Sequence, residues 1–227
     1  MGLRAKIFIP FIVLVLVGLS GSFALLQDTG PAATPPPHEP GQIDLGHITL
    51  AMPGGSIAGI VTVAENLSGV TITITSTTDS GLTPGKHGVH IHNVGACDAS
   101  GSEPYRAAGD HFDTGDNEHG KADSDDSHAG DLGNLTVKDD GTIDFKITTR
   151  KVTLQPGEKN SLDNPNGTSI VIHADEDDQS TQPSGNSGAR EACGIIFRSH
   201  EPVTHYMPGY EGLPASEEAT PGATPAS

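Results

Sequence analysis

The sequence predicts an all-β domain, an antiparallel sandwich or barrel, from three observations. Between residues 43 and 200 apolar and polar residues alternate with the period of a half-buried strand, and no stretch carries a helical period. The 227-residue chain holds 29 glycines, 17 prolines and no tryptophan, which suits many tight turns and short strands. That length fits one such domain with tails, so a second domain is not required.

The chain opens with Arg4 and Lys6, followed by the apolar run IFIPFIVLVLVGLSGSFALL, residues 7–26. A basic flank before an apolar stretch is the pattern of an export signal. The run is also just long enough to cross a bilayer. Ser22 and Ala24 form a small-x-small pair that suits cleavage, so residues 1–26 read as a signal peptide or a membrane anchor, with both alternatives open. Either places the domain outside the cytoplasm: secreted, periplasmic, or tethered through residues 7–26 at the outer face of the membrane. No cysteine lies near this segment, which excludes a lipid-modified N-terminal cysteine. Residues 27–42, QDTGPAATPPPHEPGQ, form a Pro-rich linker that acts as an extended spacer, with His38 a bystander in it. The folded domain is expected over 43–205 and a disordered tail over 206–227, whose end SEEATPGATPAS has the linker's composition.

Eight strands follow in order. HITLAM (47–52), SIAGIVTVAENL (56–67) and GVTITITST (69–77) alternate cleanly. In the third, Val70, Ile72 and Ile74 face a core while Thr71, Thr73 and Thr75 face away. HGVHIHNV (87–94) is the fourth; DLGNLTV (131–137), GTIDFKITT (141–149), TSIVIHA (168–174) and CGIIFRS (193–199) complete the set. The DDG at 139–141 is a hairpin signal between the fifth and sixth. Residues 95–130 and 174–192 lack strand pattern, and long structureless loops in a compact β domain are usually functional or disordered.

Charge narrows the function. With 29 acidic and 12 basic residues the net charge is −17, which excludes nucleic-acid binding, since that needs clustered Lys and Arg. The same field would repel an anionic substrate. Cys97 and Cys193 are the only cysteines, and in an exported domain a disulfide is the default, with two thiolates on a metal as the alternative. Closing so long a loop is worth about 4 to 5 kcal/mol on the chain-entropy account.

The histidines concentrate where the strand pattern stops. On the fourth strand His90 and His92 share one face, while His87 lies on the other with Val89 and Ile91, where it reads as structural or surface. One H-x-H pair is weak by itself. The long loop adds His111, His119 and His128 with Asp131, and His173 ends the seventh strand. Imidazole suits copper and zinc, and three histidines with one carboxylate make a closed tetrahedral zinc set. The alternative treats His119 and His128 as solvated members of an acidic loop. The run DSDD (123–126) lacks the glycine and distal glutamate of a calcium loop.

The segments GLTPGKHGVHIHNVGAC, AAGDHFD, HAGDLGNLTV, SIVIHADEDD and SGNSGAREACGIIF, in that order, resemble the signature segments of the copper/zinc superoxide dismutases, in their bacterial branch. The resemblance runs from about residue 47 to 198 and implies an eight-stranded antiparallel Greek-key sandwich or barrel, immunoglobulin-like, with long metal-binding and active-site loops. It implies one copper per subunit on His90, His92, His111 and His173, and one zinc on His111, His119, His128 and Asp131, His111 bridging both. Asp177 would link a histidine of each metal, with Asp175, Glu176 and Asp178 as solvated loop charges. Cys97 and Cys193 would form the intrasubunit disulfide. Catalysis would rest on His111 and on Arg190, which orients the superoxide anion. The implied reaction dismutates superoxide to oxygen and hydrogen peroxide by alternating Cu(II) and Cu(I). Homodimers and monomers both occur in the family, so subunit association is left open.

One departure stands out. Between His173 and Arg190 the chain has four acids and no lysine, where family members commonly steer the anion with lysines. Steering is then left to Arg190, the metals and either Lys86 or Lys121. Residues 153–169 read as a turn insertion without catalytic role. A copper-delivery domain would lack a ligand or Arg190, and an adhesive domain would not need six ordered histidines. Neither defect is in the sequence.

Overall fold

The computed structural model describes residues 42–199 except residue 123. The expected signal or anchor, nearly all of the linker, the C-terminal tail, His38, His200 and His205 lie outside the described residues. Eight strands form: β1 Ile43–Ala51, β2 Ile57–Asn66, β3 Gly69–Ser76, β4 Gly85–His92, β5 Asp131–Val137, β6 Ile143–Thr149, β7 Thr168–His173 and β8 Arg190–Phe197. They close a barrel in the order β1-β2-β3-β6-β5-β4-β7-β8. Every neighbouring pair is antiparallel, and the β3–β6 and β4–β7 pairings make the crossovers of a Greek key. Among the described residues the only helical turn is a 3₁₀ turn, Arg106–Ala108.

The alternation sets the core. Val61 pairs with Ile74 and Val63 with Ile72, and all four are fully buried. Each such side chain contributes roughly 1.5 to 3 kcal/mol through the apolar area it removes from water. The threonines of β3 turn outward, where Thr71 Oγ1 lies 2.9 Å from Thr148 Oγ1 on β6.

β4 departs from one-sided burial. His87, Val89 and Ile91 are buried, and so are His90 and His92 on the opposite face. Two loops roof that outer face. Asn93 N–H donates to Asp110 O and Phe112 N–H to Ile91 O from the loop after β4, while Gly88 N–H donates to Asp175 O from the loop after β7. Gly88 permits this roof, since a Cβ there would lie 2.9 Å from Ser187 Cβ and 3.1 Å from Asp177 Cβ.

β8 begins at Arg190, three residues earlier than alternation places it. Its first residues are held by pairing with β7, His173 opposite Arg190 and Ile172 opposite Ala192, and such backbone pairing leaves no trace in a three-residue stretch without apolar alternation. Arg190 therefore sits on a strand beside His173 rather than in a free loop.

Candidate metal centre

Strand geometry and the two roofing loops gather the histidines. One set, His90, His92, His111 and His173, has ligand nitrogens all within 4.8 Å of one another, every residue buried. His90 and His92 come from β4, His173 from the end of β7, and His111 from the long loop, where it bridges to His92. A second set, His90, His111, His119 and Asp131, is equally tight and buried. His90 and His111 belong to both.

Each ring of the first set is anchored by one nitrogen. His90 Nε2 donates to Asp177 Oδ2 at 2.9 Å, His92 Nδ1 to Gly109 O at 2.9 Å, His173 Nδ1 to Gly188 O at 3.4 Å, and His111 Nδ1 to Asp131 Oδ1 at 2.8 Å. The other nitrogens, His90 Nδ1 and the Nε2 atoms of His92, His111 and His173, are buried without a hydrogen-bond partner. Buried polar atoms are rarely left so. Four lone pairs converging on one point suit a soft-to-borderline cation such as copper, so the donor set fits that ion.

The second set centres on Asp131 at the start of β5. Its Oδ1 lies 2.8 Å from His111 Nδ1, 3.0 Å from His119 Nδ1 and 3.4 Å from His128 Nδ1. Gly120 N–H donates to its Oδ2 at 3.0 Å. The tight set holds His90 and not the expected His128, whose Nδ1 lies beside it; with His128 counted in place of His90, three imidazoles and one carboxylate are the donor types of a closed zinc set. His128 is the outlying arm, with 16% of its side chain exposed, whereas the side chain of His119 is fully buried. The acidic-loop alternative for His119 therefore does not hold.

Asp177 joins the two sets. Its Oδ2 accepts from His90 and its Oδ1 from His119 Nε2 at 2.8 Å. Asn134 of β5 grips its backbone: Asp177 N–H donates to Asn134 Oδ1 and Asn134 Nδ2 donates to Asp177 O, both at 2.8 Å. Gly185 must be glycine here, because its φ is +67° and a Cβ would land on the Asp177 carboxylate and 2.6 Å from His119 Nε2.

Electrostatics follow from this packing. Burial pushes His90 down, His92 and His173 well down, and His111 to about 4, so these rings stay neutral and can ligate. Burial also opposes charge on His119, but Asp131 and Asp177 on its two nitrogens outweigh it and raise it to about 9. Asp131 and Asp177, despite burial that favours the acid, are held far below the usual carboxylate range by these imidazoles.

Arg190 faces the first set across a cavity of about 400 Å³ lined by His92, Asp110, His111, His128 and His173 as well. Its Nη1 donates to Tyr105 O at 2.7 Å and its Nη2 to Gly109 O at 2.6 Å. Tyr105 takes a left-handed φ of 61° and is buried, and its hydroxyl donates to Ala51 O at 2.6 Å. Cys97 and Cys193 form a disulfide with Cα atoms 5.7 Å apart. That bond ties the same loop to β8, where Cys193 pairs with Ala51 of β1.

Several groups were not legible as site residues. Gln182 clamps the peptide of His119, accepting from His119 N–H at 2.8 Å and donating from Nε2 to His119 O at 2.9 Å. His87 sets its Nδ1 2.7 Å from His173 O and its Nε2 2.8 Å from Thr83 O, so its role is structural and its place interior. Lys86 is paired with Glu176 at 2.6 Å and lines neither the cavity nor the adjoining cleft. The exposed cation in that cleft is Arg106, paired with Glu103. Asp178 is exposed, as expected of a solvated loop charge, and it also accepts from Ser180 N–H at 3.0 Å and Thr181 N–H at 2.8 Å and so staples its loop.

Residues 57–196 match the family described as copper/zinc superoxide dismutase (SODC). The chain is 40% identical over 144 residues to the Cu-Zn superoxide dismutase of Caulobacter vibrioides, covering 63% of this chain and 79% of that one. It is 36% identical over 151 residues to superoxide dismutase [Cu-Zn] 2 of Aquifex aeolicus, covering 66% and 85%. Among solved structures it resembles a SOD-like protein from Bacillus subtilis, with 35% identity and a TM-score of 0.59 over 66% of this chain and 97% of that one. It also resembles the Cu/Zn superoxide dismutase of Brucella abortus, with 28% identity and a TM-score of 0.55 over 68% and 99%.

Proposed function

The chain belongs to the copper/zinc superoxide dismutase family, and from that premise we propose how its residues carry out the dismutation of superoxide. Two superoxide ions and two protons give one oxygen and one hydrogen peroxide, one anion being oxidised and the other reduced. When bound, copper supplies the one-electron couple for both halves, and zinc supplies a fixed charge without redox chemistry. We assign copper to His90, His92, His111 and His173, and zinc to His111, His119, His128 and Asp131.

The observation that carries this assignment is the convergence of four buried, unpartnered imidazole nitrogens beside an anchored guanidinium. Arg190 spends two donors on Tyr105 and Gly109, which fixes its plane. Its remaining donors hold the anion by charge-assisted hydrogen bonds in the cavity. His111, presenting Nδ1 to one set and Nε2 to the other, holds a proton at Nε2 and passes it to the oxygen species being reduced. The second proton comes from cavity water. Asp177 keeps the protons of His90 and His119 on their Nε2 atoms, which would leave each Nδ1 free to hold a metal.

Residues 1–26 we assign to export and residues 27–42 to a spacer, and the Cys97–Cys193 disulfide supports an oxidising, extracytoplasmic setting. The test is superoxide decay with copper and zinc quantified in the same sample. Catalysis that is lost on copper removal and restored on reloading is the expected result. Metal binding without catalysis would leave a metal-binding protein and refute the assignment of Arg190.

A further inference from the structure

We propose that Lys151 is a positioning residue for the zinc set: its ammonium gathers the carbonyls of Ser124, Ser127 and His128 and so fixes the turn that presents His128. The inference rests on the assignment of His128 to zinc. Lys151 Nζ donates to Ser124 O at 2.8 Å, Ser127 O at 2.7 Å, Ser127 Oγ at 2.7 Å and His128 O at 2.9 Å. Three N–H groups are shared among four oxygens, one of them on the ligand residue itself. The turn carries backbone bonds of its own, Ser127 N–H to Ser124 O at 3.4 Å and His128 N–H to Glu118 O at 3.2 Å, and the ammonium offsets the mutual repulsion of the three carbonyl dipoles it gathers.

His128 needs such a brace. It is the most exposed arm of its set and the farthest from Asp131, whereas His119 is buried and clamped by Gln182. Burial and Gln182 hold His119; His128 is held by its backbone bonds to Glu118 O and from Asp131 N–H, both at 3.2 Å, and by Lys151.

Lys151 is itself preorganised from the opposite side. Asn160 Nδ2 donates to Lys151 O at 3.1 Å, and Lys151 N–H donates to Thr149 Oγ1 at 3.1 Å. Thr153 N–H donates to Asn160 O and Leu162 N–H to Thr153 O, and Thr153 Oγ1 donates to Glu65 Oε1 on β2 at 2.6 Å. The segment 153–169, expected as a turn insertion without catalytic role, supplies through Thr153 and Asn160 the buttress that carries the brace.

The sign of the effect separates positioning from plain electrostatics. Lys151 lies close enough to Asp131 to feel its charge, so by field alone a cation there opposes binding of a second cation. Removing it would then tighten zinc. Removing a positioning group weakens zinc, typically by roughly ten- to a hundredfold for an outer-shell partner.

The experiment is chelator competition for zinc on the full-length protein, wild type against Lys151→Met and His128→Ala. Cobalt(II) absorption at the same site serves as a spectroscopic readout. Lys151→Met is expected to weaken zinc roughly tenfold, to leave copper affinity unchanged, and to shift the cobalt spectrum toward that of His128→Ala. Zinc affinity unchanged or tighter in Lys151→Met, with His128→Ala weakened, overturns the inference alone. Unchanged affinity in His128→Ala overturns the zinc assignment and the inference with it. Should Lys151→Met fail to fold, Asn160→Ala loosens only the backbone beneath the lysine. It is expected to weaken zinc a few-fold, and no change there refutes the proposal.

Discussion

Replacing Arg190 with methionine removes the guanidinium at nearly constant length, and the structure sets the size of the effect. The two carbonyls that anchor Arg190 do not become orphans. Gly109 O still accepts from His92 Nδ1 at 2.9 Å, and Tyr105 O still accepts from Ala108 N–H at 3.0 Å. The fold therefore loses little, and copper affinity is expected to stay at the wild-type value. What is lost is the charge-assisted hydrogen bonding to the anion, about 1.5 to 3 kcal/mol. At about 1.4 kcal/mol per tenfold, that is roughly a ten- to hundredfold fall in kcat/KM for superoxide. Arg190→Lys should fall between, because one ammonium cannot keep both carbonyl bonds and also present a second fork to the anion. The assay is superoxide decay followed directly, at matched copper content. A loss of less than about threefold in Arg190→Met, with copper intact, would refute the role given to this residue.

Three further outcomes follow from the same geometry. With no lysine between His173 and Arg190, and Lys86 paired to Glu176, the enzyme should be slower than lysine-steered relatives and only weakly sensitive to ionic strength. A rate near the diffusion limit that falls steeply with salt would contradict this. Asp177→Asn takes the charge from the carboxylate shared by His90 and His119 and should weaken zinc by roughly ten- to a hundredfold, read by chelator competition. The metal-free protein should be most stable near pH 6.5. His111, lowered to about 4 by burial, carries stability that is present above 6.5 and lost as pH falls through 4. His119, raised to about 9, carries stability complete below 6.5 and lost as pH rises through 9. Urea midpoints at pH 5, 6.5 and 9 test this, and a monotonic change across them would contradict it.

The strands and their faces were legible because a period of two is a local property. Val70, Ile72 and Ile74 point inward as the alternation requires, and His90 and His92 share the face opposite His87. Alternation cannot report what covers a face, so the burial of His90 and His92 under two loops, and of His87 against two carbonyls, had to come from the fold. The histidines and Asp131 proposed as metal ligands stood out in the sequence through their chemistry and their resemblance to a family. The groups that hold them did not. Gln182, Asn134, Lys151 and the backbone of Tyr105 act through side-chain-to-backbone contacts between segments far apart in sequence, inside loops with no periodicity. Lys151 in particular reads as an ordinary charge after a strand, and only its four oxygen partners distinguish it.

Two adjoining donor sets that share His111 are proposed to hold one copper and one zinc. Anomalous diffraction from crystals of the purified protein, recorded on both sides of the copper and zinc edges, tests this proposal most directly. A copper peak is expected among His90 Nδ1 and the Nε2 atoms of His92, His111 and His173. A separate zinc peak is expected among the Nδ1 atoms of His111, His119 and His128 and the carboxylate of Asp131. A single metal position, or copper bound away from His90, His92 and His173, would contradict the proposal.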